Sequence, residues 1–167
     1  MKDFAHPGSL DKVPEDLNDI VEITVAVSRS RWQDVAEMEL HLDPGLPVVP
    51  LLAGRIKQVL LDMLLNAVYA LMEKYGDPPR RKGRISISTR RAGDHVELRL
   101  ADTGCGMPVD IVPRIFDPFF TTKPVGRGSG QGLSVAHGII VDNHGGSIRV
   151  SSTQGIGTEF IIKLPTG

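Results

Sequence analysis

The chain is short of several things, and each shortage narrows what it can be. Cys105 is its one cysteine, so no internal disulfide can brace it. No apolar run approaches the roughly 20 residues that span a bilayer, and no N-terminal stretch has the pattern of a signal peptide. A cytosolic location is the default expectation, with no membrane contact. An excess of one charge is also missing, since 19 Lys and Arg stand against 20 Asp and Glu for a net charge of -1. No uniform field would draw such a molecule to nucleic acid or to an anionic surface, so any anion binding must be local. What is present is ordinary for one soluble domain: 167 residues, 41% apolar and 23% charged, enough to bury a core. The 18 glycines and 12 prolines are unevenly spread, and many fall between Gly104 and Gly132.

Periodicity gives the elements. Met1 to Pro14 has no sustained period and reads as a tail or linker without a core role. Leu17 to Val27 has helical spacing, with Asp16 or Asn18 as N-cap, and Glu37 to Leu42 alternates as a strand before a proline-rich connector. Leu51 to Lys74 predicts the longest helix. Its polar residues Arg55, Gln58, Asp62, Asn66, Tyr69 and Glu73 form one narrow stripe, and the rest is apolar apart from Lys57. Such a helix is expected to be buried nearly all round, with a polar seam that either lines a site or faces water. Arg84 to Arg90 and His95 to Asp102 predict a hairpin turning at Ala92-Gly93-Asp94. After about thirty residues without a period come a helix from Leu133 to Asn143, closed by Gly145, and a hairpin of Ser147 to Ser151 with Thr158 to Leu164. The sum is an α+β two-layer sandwich, a mostly antiparallel sheet with helices on one face.

The segment without a period holds the chemistry. Gly126, Gly128, Gly130 and Gly132 alternate just before a helix, which brings backbone N–H groups and a helix N-terminus to one place. That predicts an anion site, with a flexible loop as the plain alternative. It is neither a P-loop nor a dinucleotide fingerprint, because G-x-x-x-x-G-K-[ST] is missing and the run follows no strand. Asp102-Thr-Gly104-Cys-Gly106 closes a strand, where a carboxylate can accept a hydrogen bond from an exocyclic amine while the backbone turns around a flat ring; by itself it could equally be a turn. Between these runs, Ile115 to Lys123 holds three of the five phenylalanines, which could clamp a mobile segment to the core, and Lys123 could reach a phosphate.

Taken in order, Asn66 in QVLLDMLLNA, DTGCGM from Asp102, FDPFFTTK from Phe116, GSGQGL from Gly128 and the ending HGGSIRVSSTQGIGTEFIIKLP resemble the N, G1, F and G2 boxes of the sensor histidine kinase catalytic domain. The resemblance covers roughly Leu17 to Pro165. It implies the Bergerat ATP-binding fold with a long lid, and ATP with Mg2+ as ligands. It also implies roles residue by residue. Asn66 resembles the asparagine that coordinates Mg2+, Asp102 the acceptor for the adenine amine, and Gly104 and Gly106 the turn beneath the base. Gly128, Gly130, Gly132 and Leu133 resemble the phosphate-binding end of the lid, and Thr158 the threonine near adenine. Lys123 would join Asp62 and Asn66 around the transferred phosphoryl group. Residues 1–15 would be a linker following a dimerisation and phosphoacceptor domain, and residues 16–167 the catalytic domain.

Three departures stand out. Asp62 replaces the usual asparagine one turn before Asn66, and a related ATPase places a water-activating glutamate there. Ser129 and Gln131 replace the usual threonine and leucine of the G2 box. No histidine of the chain lies in a phosphoacceptor pattern, and His137 and His144 read as packing or surface residues. The expected reaction is transfer of the ATP γ-phosphoryl group to a histidine on a separate domain of the same protein, with a response regulator receiver domain downstream. Three other readings stay open: an ATPase using Asp62 as general base, a serine kinase of the anti-sigma type, and a non-catalytic nucleotide-binding module.

Overall fold

The computed structural model describes residues 11–117 and 132–167. Lys123, Gly128 and Gly130, together with Ser129, Gln131 and most of the expected lid, lie outside the described residues.

The chain opens with a short strand, β1 (Val13–Glu15), then α1 (Leu17–Val27), a single turn α2 (Arg29–Trp32), β2 (Ala36–His41) and β3 (Val49–Leu51). The long helix α3 (Ala53–Tyr75) follows, then the hairpin β4 (Gly83–Ala92) and β5 (His95–Asp102). After a 3-10 turn at Val112–Arg114 come α4 (Gly132–Gly138), a wide π turn at Ile139–Asn143, and the hairpin β6 (Ser147–Thr153) and β7 (Gly157–Pro165). The main sheet runs β2-β4-β5-β7-β6, with β2 and β4 parallel and every other pair antiparallel. This is the mixed, mostly antiparallel α+β sandwich expected from the alternation. Period-2 patterning sends Ile85, Ile87, Val96, Leu98, Leu100, Phe160 and Ile162 beneath the helices, all at most 2% exposed. On the opposite face Glu97 is buried too, because Arg90 and Arg99 fold over it with Nε to carboxylate distances of 2.9 and 2.8 Å.

Of the two candidate caps for α1, Asp16 is the one used: its Oδ1 accepts the Asn18 N–H at 2.9 Å. Asn18 instead ties α1 to the sheet. Its amide donates to the Asp43 carbonyl at 2.7 Å and accepts from the Thr89 hydroxyl at 2.7 Å, while the Asp43 N–H donates to that hydroxyl at 3.0 Å.

Two expectations change. Helix α3 starts at Ala53, not Leu51, because Leu51 pairs with Val13 in a small antiparallel sheet of β1 and β3. Part of the expected tail thus has a partner, although Val13 and Pro14 remain exposed. The helix is also not buried nearly all round. Ile56, Val59, Leu60, Met63, Leu64, Ala67, Val68 and Leu71 enter the core, but Gly54, Lys57 and Leu61 face outward, with Leu61 at 38%. An apolar residue next to a polar seam carries no sign of which side of the helix is covered.

Candidate functional site

The site begins where β5 ends. Asp102 on β5 is the direct cross-strand partner of Thr158 on β7, so the sheet itself places these two side chains together, beneath α3. One carboxylate oxygen of Asp102 accepts the Gly104 N–H at 2.8 Å, which turns the chain out of the strand. The turn then lies against α3, where the Cys105 N–H donates to the Ala70 carbonyl at 3.2 Å. Glycine at 104 is required by that approach: a Cβ there would stand 2.6 Å from the Ala70 Cβ and 2.8 Å from its carbonyl carbon. Gly106 has φ +68°, and a Cβ would run into the Thr153 carbonyl. The loop is also fastened to the β6–β7 hairpin. The Gly155 N–H donates to the Cys105 carbonyl at 2.6 Å, and the Met107 N–H to the Ser152 hydroxyl at 2.9 Å. Ser152 lies 2.8 Å from the Thr158 hydroxyl and so fixes its direction.

These contacts enclose a cavity of about 330 Å³ between α3, the loop and the inner strands. Asn66, Tyr69 and Glu73 line it from the helix, Asp102, Thr158 and Phe160 from the sheet, and Cys105, Met107, Ile111 and Gln154 from the loops. The mix of flat apolar wall and few polar groups is that of a small-molecule site. The polar stripe on α3 therefore divides. Its C-terminal half faces this cavity, whereas Arg55 and Gln58 line a separate groove beside β1. Asp62 sits between, against the start of α4, since a Cβ built on Gly132 would be 3.6 Å from its carboxyl carbon. Phe116, the described phenylalanine of the Phe-rich segment, packs on His137 with ring centroids 5.3 Å apart and on Phe160 at 6.4 Å, joining loop, α4 and cavity floor. That gives His137 the packing role expected of it. Leu133 follows Gly132 in α4 and is partly buried against the core.

Burial sets the electrostatics. It pushes the Asp102 carboxyl up to about 6, against the opposing pull of the Gly104 and Thr158 backbone N–H groups and of Lys74. Burial likewise pushes Asp62 up to about 6. A carboxylate held at such a cost is stabilised by any ligand that donates a hydrogen bond to it. The described residues contain no cluster of three His, Cys, Asp or Glu that could hold a metal ion by itself. The Asn66 side chain on the cavity wall offers one amide oxygen, a donor of the kind that could hold Mg2+ together with oxygens of a ligand.

The structure thus brings Asn66, Asp102, Gly106 and Thr158 to one cavity, with Gly104 supporting its loop and Asp62, Gly132 and Leu133 beyond one end. Sequence reasoning missed Ser152, Gln154 and Lys74. Ser152 had a signal, a polar residue at the inward position after Ile148 and Val150.

A mixed sheet roofed by a long helix, with the cavity between them, is the architecture of histidine kinase catalytic domains. The catalytic domain of histidine kinase ThkA in a nucleotide-free form matches with a TM-score of 0.77 and 28% identity, covering 93% of this chain and 95% of that one. The complex of histidine kinase ThkA with response regulator protein TrrA matches with a TM-score of 0.75 and 26% identity over 93% of this chain and 42% of that one. By sequence, the sensor kinase CckA of Brucella abortus is 35% identical over 168 residues, covering 90% of this chain and 16% of its own length. The chain spans a third or less of the length of the curated sensor kinases compared with it. The chain belongs to the family of histidine kinase-, DNA gyrase B- and HSP90-like ATPases, whose model matches residues 52–167.

Proposed function

We propose that this domain binds ATP with Mg2+ and transfers the γ-phosphoryl group to a histidine on a dimerisation and phosphoacceptor domain of the same protein. The observation that carries the reading is the pairing of Asp102 with Thr158 at the base of a cavity that Asn66 enters from the opposite wall. In this reading the Asp102 carboxylate accepts the adenine amine, Gly104 and Gly106 let the backbone pass under the base, and Thr158 bounds its edge. Asn66 would hold Mg2+, which supplies charge neutralisation between the phosphates. Asp62 would orient the incoming group, and Gly128, Gly130, Gly132 and Leu133 would carry the phosphate end, with Lys123 reaching the transferred group. Phosphoryl transfer asks mainly for such positioning and charge balance, and needs no covalent intermediate on this domain.

The acceptor histidine, a receiver domain downstream and a cytoplasmic setting follow from the same reading. No helix of the described residues is long and apolar enough to cross a membrane. The test is phosphate transfer from radiolabelled ATP to an added dimerisation domain. Label on a histidine of that domain is expected, and its absence alongside rapid phosphate release would favour hydrolysis instead. One observation supports that second reading: Asp62, raised to about 6, is poised as a base for water.

A further inference from the structure

Lys74 stands one residue before the end of α3, where a cation is favoured by the helix dipole and would normally reach into water. Here it reaches back across two loops. Its ammonium donates to the Thr103 carbonyl at 3.0 Å and to the Gly155 carbonyl at 3.1 Å. The two carbonyls belong to different walls of the cavity: Thr103 follows Asp102, and Gly155 follows Gln154 in the β6–β7 turn. The walls also meet directly through the Gly155 N–H and the Cys105 carbonyl. An ammonium is a compact point charge with three donors, suited to gathering carbonyls from separate segments.

We propose that Lys74 is a positioning residue for nucleotide binding, whose ammonium pins the loop after β5 and the β6–β7 turn to α3 and so fixes the spacing of the walls that take the base. The inference rests on the assignment of this cavity to adenine. It goes further in naming what sets the cavity's width. The same cation favours the charged form of Asp102. Other titratable groups facing this region are Tyr69 and Glu73 on α3, the Tyr75 hydroxyl 3.5 Å from the Thr103 carbonyl, and the Cys105 thiol in the loop, while the carboxylate's partners on β4 and β7 are the uncharged Ile85 and Thr158.

The test is calorimetry of the chain with MgADP between pH 5 and 8, for wild type, Lys74→Met, Lys74→Gln, Lys74→Arg and Asp102→Asn. Loss of the ammonium in the Met and Gln variants is expected to weaken binding about tenfold. It should also raise the pH at which half the affinity is lost, because removing a cation disfavours the carboxylate. Lys74→Arg keeps the charge and should return that midpoint to the wild-type value. Comparing variants with one ligand cancels the titration of its phosphates. Weaker binding with an unmoved midpoint reduces Lys74 to support of the fold and overturns the proposal. So does unchanged binding in both neutral variants while Asp102→Asn is weakened, an outcome that leaves the adenine assignment standing. Wild-type affinity in Asp102→Asn overturns both.

Discussion

The Leu52 N–H, just ahead of α3, donates to Nε2 of His144 at 3.0 Å, across 92 residues of chain. Nδ1 of the same ring lies 2.8 Å from the Ile139 carbonyl and must carry the proton, so His144 is neutral and joins the start of the long helix to the turn after α4. Leu52 has no side-chain cap to offer, and its own N–H, which the helix leaves free, finds an acceptor in the distant histidine.

His144→Gln should therefore destabilise the domain by about 1–3 kcal/mol at pH 8, by leaving buried backbone groups without partners. Burial lowers the His144 pKa in the folded state, so its contribution is complete above the unfolded value near 6.5 and declines as pH falls below it. Urea unfolding of both proteins should show the gap between them narrowing from pH 8 to pH 5.5. A gap that widened on acidification would contradict the neutral bridge.

Asp102→Asn should weaken nucleotide binding at least tenfold, because an amide can turn a donor toward the base amine. Without nucleotide the same change should cost no stability and should add about 1–3 kcal/mol at pH 7, since the carboxyl is held near 6 against the usual aspartate value of 3.8 and its ionised form is unfavourable in the fold. Thermal melts with and without MgADP separate the two effects. The folded carboxyl binds its proton more tightly, so this penalty fades as pH falls from about 6 toward 4, opposite in direction to the His144 term.

Gly104→Ala should lift the loop off α3 and cost both stability and affinity, by about 1–3 kcal/mol in unfolding free energy. The added methyl meets the Ala70 Cβ at 2.6 Å and Ala70 backbone atoms at 2.8 and 2.9 Å. Adding Ala70→Gly removes the first contact only, so partial recovery is expected. Full recovery in the double variant would mean the backbone contacts yield freely.

Asp62→Asn divides the two enzymatic readings. With the acceptor domain supplied, most histidine phosphorylation should survive, because an amide can still orient a neighbour. A base for water must take a proton, a role typically worth about 10²- to 10⁴-fold, so a hydrolase would be nearly silenced. Phosphotransfer and phosphate release, measured on one preparation, give the answer.

How much could be read beforehand varies with the kind of contact. The hairpin of β4 and β5 and its partner β7 were legible because inward residues alternate over seven or more positions. β1 and β3 were not, since three residues with a proline in each carry no period. In the site, Asp102, Asn66 and Thr158 were recognisable because local motifs surround them. Lys74 was not, because its partners lie 29 and 81 residues further along and only the folded chain brings their carbonyls to it. Leu61 misleads for the opposite reason: its hydropathy suggests burial, but the helix side it occupies is left partly open among the described residues.

Asp102 and Thr158 stand on interior strands, each bonded to neighbours on both sides, whereas Asp62 lies against the start of α4, a short helix packed on α3. The end of the cavity at Asp102 and Thr158 cannot shift without tearing the sheet, and the far end can be retuned by tilting a single short helix. On the proposed assignment, recognition of the base would be built into the sheet itself, while contact with the remainder of the ligand would depend on how one short helix is set.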